Sequence, residues 1–150
     1  MEKQTFNITI RATPAEVWNT LFGETTYPLW TAPFAEGSSV ETDWKEGSKA
    51  LFLDGKGQGM VSMIAKNIPN EYMSIRHLGF YKDGVEDMDS EEVKKWAGAM
   101  ENYTLKPSNG NTELLIDMDI SEDYKDYFNN TWPKALEKVK ELAEKQHETV

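Results

Sequence analysis

TWPKALEKVKELAE, residues 131–144, is the stretch that decides the fold of this chain. Apolar side chains recur here at intervals of three and four residues, and the same spacing extends back to residue 124. This spacing aligns them along one side of a helix as a single buried stripe. The stripe consists of Tyr124, Phe128, Trp132, Ala135, Leu136, Val139, Leu142 and Ala143. A long C-terminal helix with one apolar face has to pack against another layer, and the preceding sequence predicts a sheet.

Pro133 conflicts with an uninterrupted helix. A proline inside a helix removes one backbone hydrogen bond and kinks the chain. Two interpretations are open at this point. Either a single helix bends near Asn129, or Thr131 caps a second helix that runs to about Gln146.

The start of the chain, TFNITIRATPAEVWNTLF (residues 5–22), predicts a strand followed by a short helix. Residues 5–12 alternate between polar and apolar, which is typical of a half-buried strand. Thr13 and Pro14 then supply an N-cap and a first helical residue. Gly23 ends the helix after about two turns. The apolar residues of this helix are Val17, Trp18, Leu21 and Phe22.

Six further strands are predicted between the two helices. They span residues 38–44, 48–54, 60–68, 72–81, 96–106 and 111–120. The acidic residues 82–95 predict a long surface loop with a helical turn near Ser90. The resulting order, βαββββββα, predicts an α+β fold in a single domain over residues 1–150, with neither a linker nor an internal repeat.

Composition and charge exclude several classes of protein. The net charge is −10, and the chain contains no cysteine. We expect no binding to nucleic acid or to anionic membranes, because both need a basic patch. Without cysteine there are no disulfides, thiolate metal sites or cysteine nucleophiles. The sequence shows no signal peptide and no membrane-spanning stretch, so we expect a cytoplasmic protein.

Four pieces of the chain together resemble the START-like (SRPBCC) superfamily, and within it the bacterial proteins named after the Aha-type activator of the heat-shock-protein-90 ATPase. They are TFNITIRATPAEVWNTLF, YPLWTAPF, GQGMVSMIAKNIPNEYMSI and TWPKALEKVKELAE. The resemblance implies a helix-grip fold, in which a curved antiparallel sheet wraps around the long C-terminal helix, often with a cavity between them. The superfamily includes lipid carriers, hormone receptors, cyclases and chaperone regulators, so the resemblance implies no particular reaction.

Aromatic side chains are the main candidates for a functional site. Indole and phenol rings offer flat apolar walls with one polar group each, which suits a cavity for an apolar ligand. The segment YPLWTAPF (residues 27–34) is too apolar for a free loop, and in a helix-grip domain it would border the mouth of that cavity. The predicted ligand-binding residues are Trp30, Phe34, Trp44, Phe52, Met60, Phe80, Trp96, Tyr103, Phe128 and Trp132. The alternative is that the same residues form an ordinary hydrophobic core.

No catalytic or metal-binding set emerges from the sequence. The spacing indicates no serine or carboxylate partner for His77, so a hydrogen-bonded or solvent-facing histidine is favoured over a general base. The carboxylates of residues 82–95 lack the order of a calcium-binding loop. Asp117 and Asp119 share one face of a strand, which we interpret as the outer face. We therefore expect no enzyme activity, no metal and no cofactor.

The expected function is binding of a small apolar or amphipathic molecule, of the size of a fatty acid or a flat aromatic, between the sheet and the C-terminal helix. One alternative is a protein-interaction module that regulates a chaperone ATPase or another partner, and a weaker one is an enzyme acting inside the cavity. An enclosed cavity of about 300 Å³ or more favours ligand binding, and a packed interior favours the interaction module. The chain is expected to be a monomer or a homodimer.

Overall fold

A computed structural model describes residues 1–148 as an antiparallel sheet closed by a long C-terminal helix. The strands are β1 (Glu2–Ile10), β2 (Ser39–Glu41), β3 (Lys49–Leu53), β4 (Gln58–Ile68), β5 (Tyr72–Lys82), β6 (Val85–Asp87), β7 (Met100–Ser108) and β8 (Asn111–Ile120). The helices are α1 (Pro14–Phe22), α2 (Tyr27–Thr31), α3 (Glu91–Lys94) and α4 (Lys125–Glu148), and a 3-10 turn at Glu122–Tyr124 precedes α4. The predicted α+β helix-grip fold is confirmed.

The strands lie across the sheet in the order β1-β8-β7-β5-β4-β3-β2, with β6 paired to β5 at one end. The helix α4 packs on β1, α1 and α2, so it covers the inner face of the sheet. One hydrophobic core joins the sheet to the helices. Its fully buried side chains include Ile10, Val17, Leu21, Trp30, Ile64, Met73, Ile75, Leu114, Ile116, Trp132 and Val139.

The first helix begins and ends where the sequence predicts. The hydroxyl of Thr13 accepts a hydrogen bond from the backbone N–H of Glu16 at 3.2 Å, and the Glu16 carboxylate accepts one from the N–H of Thr13 at 2.9 Å. These reciprocal bonds form a capping box. A Cβ atom at Gly23 would lie 2.3 Å from the carbonyl oxygen of Asn19, so only glycine fits where α1 ends.

The proline in the C-terminal helix does not divide it. α4 is continuous from Lys125 to Glu148 with Pro133 inside, so the interpretation with a second helix capped by Thr131 is wrong. The hydroxyl of Thr131 instead donates to the carbonyl of Tyr127 at 2.7 Å. Pro133 and Asn129 are both exposed. The Asn129 carbonyl, which loses its helical donor to the proline, therefore lies where water can replace the bond.

Several elements differ from the prediction. Residues 27–31, for which no helix or strand was predicted, form the short helix α2, and the short strand β6 lies within the predicted acidic loop. Trp44 was predicted within a strand, but β2 ends at Glu41 and Trp44 has φ +61°. Its carbonyl accepts a hydrogen bond of 2.8 Å from the side-chain amide of Asn67. Trp96 was also predicted within a strand, but it follows α3 in a turn that precedes β7.

Candidate functional site

A cluster of aromatic rings occupies the space between the inner face of the sheet and the helices. Neighbouring ring centroids lie 4.8 to 6.4 Å apart, and many pairs meet edge to face, as aromatic quadrupoles favour. This aromatic cluster is made up of Phe6, Trp18, Phe22, Tyr27, Trp30, Phe34, Trp44, Phe52, Tyr103, Tyr127, Phe128 and Trp132. It brings together side chains from α1, α2, α4 and the strands.

Most of the predicted ligand-binding residues meet in this cluster. Seven of them belong to it through ring contacts: Trp30, Phe34, Trp44, Phe52, Tyr103, Phe128 and Trp132. Met60 is paired with Phe52 on one side and with Phe80 on the other, so these three side chains share the inner face. Trp96 is separate, and no ring contact within residues 1–148 joins it to the aromatic cluster. The ligand-binding role of all these residues stays a prediction.

A chain of polar side chains crosses the inner face beside the aromatic cluster. The hydroxyl of Ser62 lies 2.7 Å from Nδ1 of His77, and Nε2 of His77 lies 3.0 Å from Oε1 of Glu101. The other carboxylate oxygen of Glu101 accepts a hydrogen bond from the hydroxyl of Tyr103. We call these four residues the polar chain. They come from β4, β5 and β7, which the sheet places side by side.

The hydrogen bonds of the polar chain give each member a partner. Ser62 is fully buried, and its hydroxyl contacts Nδ1 of His77. Because a carboxylate only accepts hydrogen bonds, Nε2 of His77 carries the hydrogen that it donates to Glu101, and Tyr103 donates to the other carboxylate oxygen. Nδ1 accepts from Ser62 in the neutral imidazole and donates to it in the imidazolium.

The surroundings hold Glu101 in its charged form. Burial tends to raise the pKa of the Glu101 carboxyl, but the hydrogen bonds from His77 and Tyr103 and the attraction of the imidazole group lower it below its ordinary value. Burial and the negative charge of Glu101 together raise the pKa of the Tyr103 and Tyr27 hydroxyls. Both tyrosines therefore stay neutral and can act as hydrogen-bond donors.

Glu101 is the most accessible member of the polar chain. Its side chain is 17% exposed, compared with 9% for that of His77, and Ser62 and Tyr103 are almost completely buried. Glu101 points to the inner face, because it is paired with Ile75 and Met118, two core residues of the neighbouring strands. Part of the Glu101 side chain is therefore accessible from the inner face of the sheet.

Asp117 and Asp119, which sequence analysis placed on one face of a strand, have structural roles. Asp117 accepts a hydrogen bond from the Asn102 amide at 2.9 Å, and Asp119 accepts one from the backbone N–H of Met100 at 2.9 Å. Both lie on the face of β8 opposite to the core residues Ile116 and Met118, as predicted. Across residues 1–148, no three acidic or histidine side chains are arranged to hold a metal ion.

Sequence reasoning missed the polar chain. Spacing indicated no serine or carboxylate partner for His77, but the residue contacts one of each. Of the two favoured alternatives, the hydrogen-bonded histidine agrees with the structure and the solvent-facing one does not. One signal for Glu101 is present in the sequence, since it alternates with Tyr103 and Leu105 and so shares their buried face. No comparable signal brings Ser62, His77 and Glu101 together, because this depends on the pairing of strands distant in sequence.

Two open depressions in the described part of the chain lie away from the polar chain. One of about 460 Å³ follows the outside of α4, and it is lined mainly by charged side chains such as Lys134, Lys138 and Glu141. Another, of about 280 Å³, lies near the end of the same helix beside Arg11 and His147. Neither has the apolar lining expected of a site for an apolar ligand.

Comparisons with known proteins identify the fold. No protein-family model and no curated protein sequence matches the chain. The structure is similar to that of an Aha1 dimer from Colwellia psychrerythraea, with a TM-score of 0.71 at 19% identity over 96% of this chain and 97% of that one. It is also similar to protein MLL2253 from Mesorhizobium loti, with a TM-score of 0.72 at 15% identity over 96% and 98% of the two chains.

A third similar structure is DynU16, a protein in the dynemicin biosynthetic locus. Its TM-score is 0.72 at 13% identity, over 98% of this chain and 49% of DynU16. The matches confirm that this chain shares the helix-grip fold of these proteins. An Aha-type protein is among the structures that share it, as the sequence resemblance predicted. No helix within residues 1–148 is long and apolar enough to cross a membrane.

Proposed function

We propose that this chain is a non-enzymatic binding protein for small apolar or amphipathic molecules. The ligand would lie between the sheet and α4, with its apolar part among the rings of the aromatic cluster and a polar group beside Glu101. One observation carries the proposal, namely a hydrogen-bonded polar chain with the Glu101 carboxylate on the inner face of the sheet, next to aromatic rings. Apolar walls with a few convergent polar groups are the usual composition of a small-molecule site.

An ordinary core accounts for the arrangement less well. Charged side chains are rarely buried, because removing a carboxylate from water costs free energy that its partners have to offset. A core of similar volume built from apolar residues would avoid that cost. In addition, Phe52, Met60 and Phe80 on the inner face are only half-buried, as is Trp44 in the loop beside them. These residues and Glu101 together indicate where the interior can admit a ligand.

The geometry of the polar chain supports binding over catalysis. Serine, histidine and glutamate are the residue types of a hydrolase triad, in which Nε2 of the histidine faces the serine. Here Nδ1 of His77 faces Ser62, and Nε2 faces Glu101. Moreover, Ser62 is fully buried, so a substrate would not reach its hydroxyl without displacing the neighbouring strands.

Neutral flat aromatics such as naphthylmethanol are expected to bind this protein, shifting its tryptophan emission and raising its melting temperature. Phe52 contacts Trp44 at 6.2 Å and the ring of His77 at 6.0 Å, so it adjoins both parts of the proposed site. Replacing Phe52 by leucine removes an aromatic contact worth about 1 kcal/mol, which corresponds to a roughly fivefold weaker Kd. Isothermal titration calorimetry measures the affinity directly.

Trp96→Phe is the matched control for this experiment. Trp96 lies outside the aromatic cluster, so its replacement should leave the affinity unchanged. If a panel of neutral apolar molecules changes neither the emission nor the melting temperature, the ligand-binding proposal fails and the core interpretation stands.

A second candidate function is protein interaction, beginning with self-association. Tyr124 is 58% exposed just before α4, and Leu29 is 49% exposed on α2. Exposed aromatic side chains are enriched in protein interfaces, and one structure with this fold is an Aha1 dimer. The same surface would serve a different partner, such as a chaperone ATPase. Sedimentation equilibrium should reveal a dimer that Tyr124→Ser weakens, whereas a monomer at every concentration would rule out self-association.

A further inference from the structure

No lysine or arginine side chain of the described residues is paired with the carboxylate of the polar chain. The described ion pairs give Glu101 only His77 as a partner, and an imidazole is a cation only when it is protonated. Lysine and arginine side chains of the described residues make their ion pairs elsewhere, on the surface. The interior therefore presents one carboxylate that hydrogen bonds satisfy but that no permanently charged side chain of the described residues balances.

Aromatic rings border this charge. Tyr103, which donates to Glu101, is in ring contact with Phe22 at 5.3 Å and with Trp30 at 6.4 Å. Tyr27 lies close enough for the charge of Glu101 to act on its hydroxyl, and it contacts Trp30 at 5.5 Å. The faces of aromatic rings attract cations, and rings around a positive group form the usual site for ammonium ligands.

We propose that the ligand of this protein is a cation, namely a protonated or quaternary amine carried on an apolar or aromatic body. This inference rests on the proposed function and specifies its ligand class. The ammonium group would lie beside the accessible edge of Glu101, and the apolar body would lie among the rings of the aromatic cluster. An anionic amphiphile such as a fatty acid would place its carboxylate against Glu101, where a low dielectric strengthens the repulsion. Fatty acids, included in the sequence-based expectation, are therefore disfavoured.

Three probes with the same naphthalene body test the charge preference. They are naphthylmethylamine, which is protonated at neutral pH, the neutral naphthylmethanol, and the anionic naphthoate. At physiological ionic strength, we expect the amine to bind at least about tenfold more tightly than naphthoate, which is the effect of one modest charge interaction. Calorimetry on the unmodified protein gives this ratio without any variant, so the test does not depend on the folding of a mutant.

Glu101→Gln provides the second arm of the test. The substitution removes the charge and keeps the size of the side chain, so the ratio of amine to naphthoate affinity should fall to about twofold or less. Glu113→Gln is the matched control, because Glu113 is exposed on β8 and its replacement changes the net charge by the same amount. The control separates the effect of Glu101 from general attraction of cations to a protein with a net charge of −10.

The outcomes distinguish this inference from the proposed function. Equal binding of all three probes would overturn the cation preference and leave ligand binding in place. An equal loss of preference in Glu101→Gln and Glu113→Gln would also overturn it, since the preference would then come from overall charge. If no probe binds, the proposed function and the inference fail together.

Discussion

Replacing Trp132 by alanine should destabilise the protein by about 3–5 kcal/mol, the range found when a large aromatic side chain is removed from a packed core. The residue is only 2% exposed. Its ring contacts Phe34 at 4.9 Å, Phe6 at 5.9 Å and Trp30 at 6.0 Å, and its indole N–H lies 3.0 Å from the sulfur of Met118. Trp132 thus joins α4 to β1, β8 and the segment around α2. Denaturant unfolding measures the change in the free energy of unfolding.

Tyr124→Ala is the control for this prediction. Tyr124 belongs to the same apolar stripe in the sequence, but it is 58% exposed, in the turn before α4. Its replacement should cost less than about 1 kcal/mol, as is usual for surface positions. If Trp132→Ala lowers the free energy of unfolding by less than about 1 kcal/mol, the packing of α4 on the sheet through Trp132 is contradicted.

The comparison of Tyr124 with Trp132 also shows what a periodic pattern can predict. Spacing identifies the buried side of the helix between Trp132 and Ala143, where long-range packing agrees with it. Just before α4, the chain has only recently left β8, and Tyr124 lies beyond the edge of the hydrophobic core. Thr13 and Gly23 were predictable for a different reason, because capping and chain reversal depend on a few neighbouring residues.

Such local sequence patterns could not predict the polar chain. The pairing of β4 with β5 shifts register between Val61 and Ser62, where Gly79 and His77 are the successive partners. This bulge lets His77 and Phe80 face the same side although they are three residues apart. In the sequence of β5, apolar residues therefore occur at both odd and even positions. The alternation alone does not show which of these side chains face the core. The site predicted from aromatic residues alone lacked the polar chain.

Replacement of Gly59 should also strongly destabilise the protein. Gly59 lies on β4 and pairs with β3 next to Phe52. A Cβ atom at Gly59 would lie 1.9 Å from the carbonyl oxygen of Phe52 and 3.0 Å from the Cα of Leu53. These are backbone atoms of the paired strand β3, so no side-chain rotation relieves the clash. Gly59→Ala should therefore destabilise the protein by about 4 kcal/mol or more, in the range that marks severe core or backbone strain.

The same substitution should weaken ligand binding in whatever fraction of the protein remains folded, because β3 can yield only by moving Phe52 away from Trp44 and His77. Gly110→Ala is the matched control. Gly110 has φ +85° with no atom within 4 Å of the added Cβ, so its replacement costs only the left-handed conformation, about 1 kcal/mol. Thermal and denaturant melts of the two variants separate the effects. If Gly59→Ala is no less stable than Gly110→Ala, the close approach of β3 and β4 is not required, and the position of Phe52 in the site needs a different explanation.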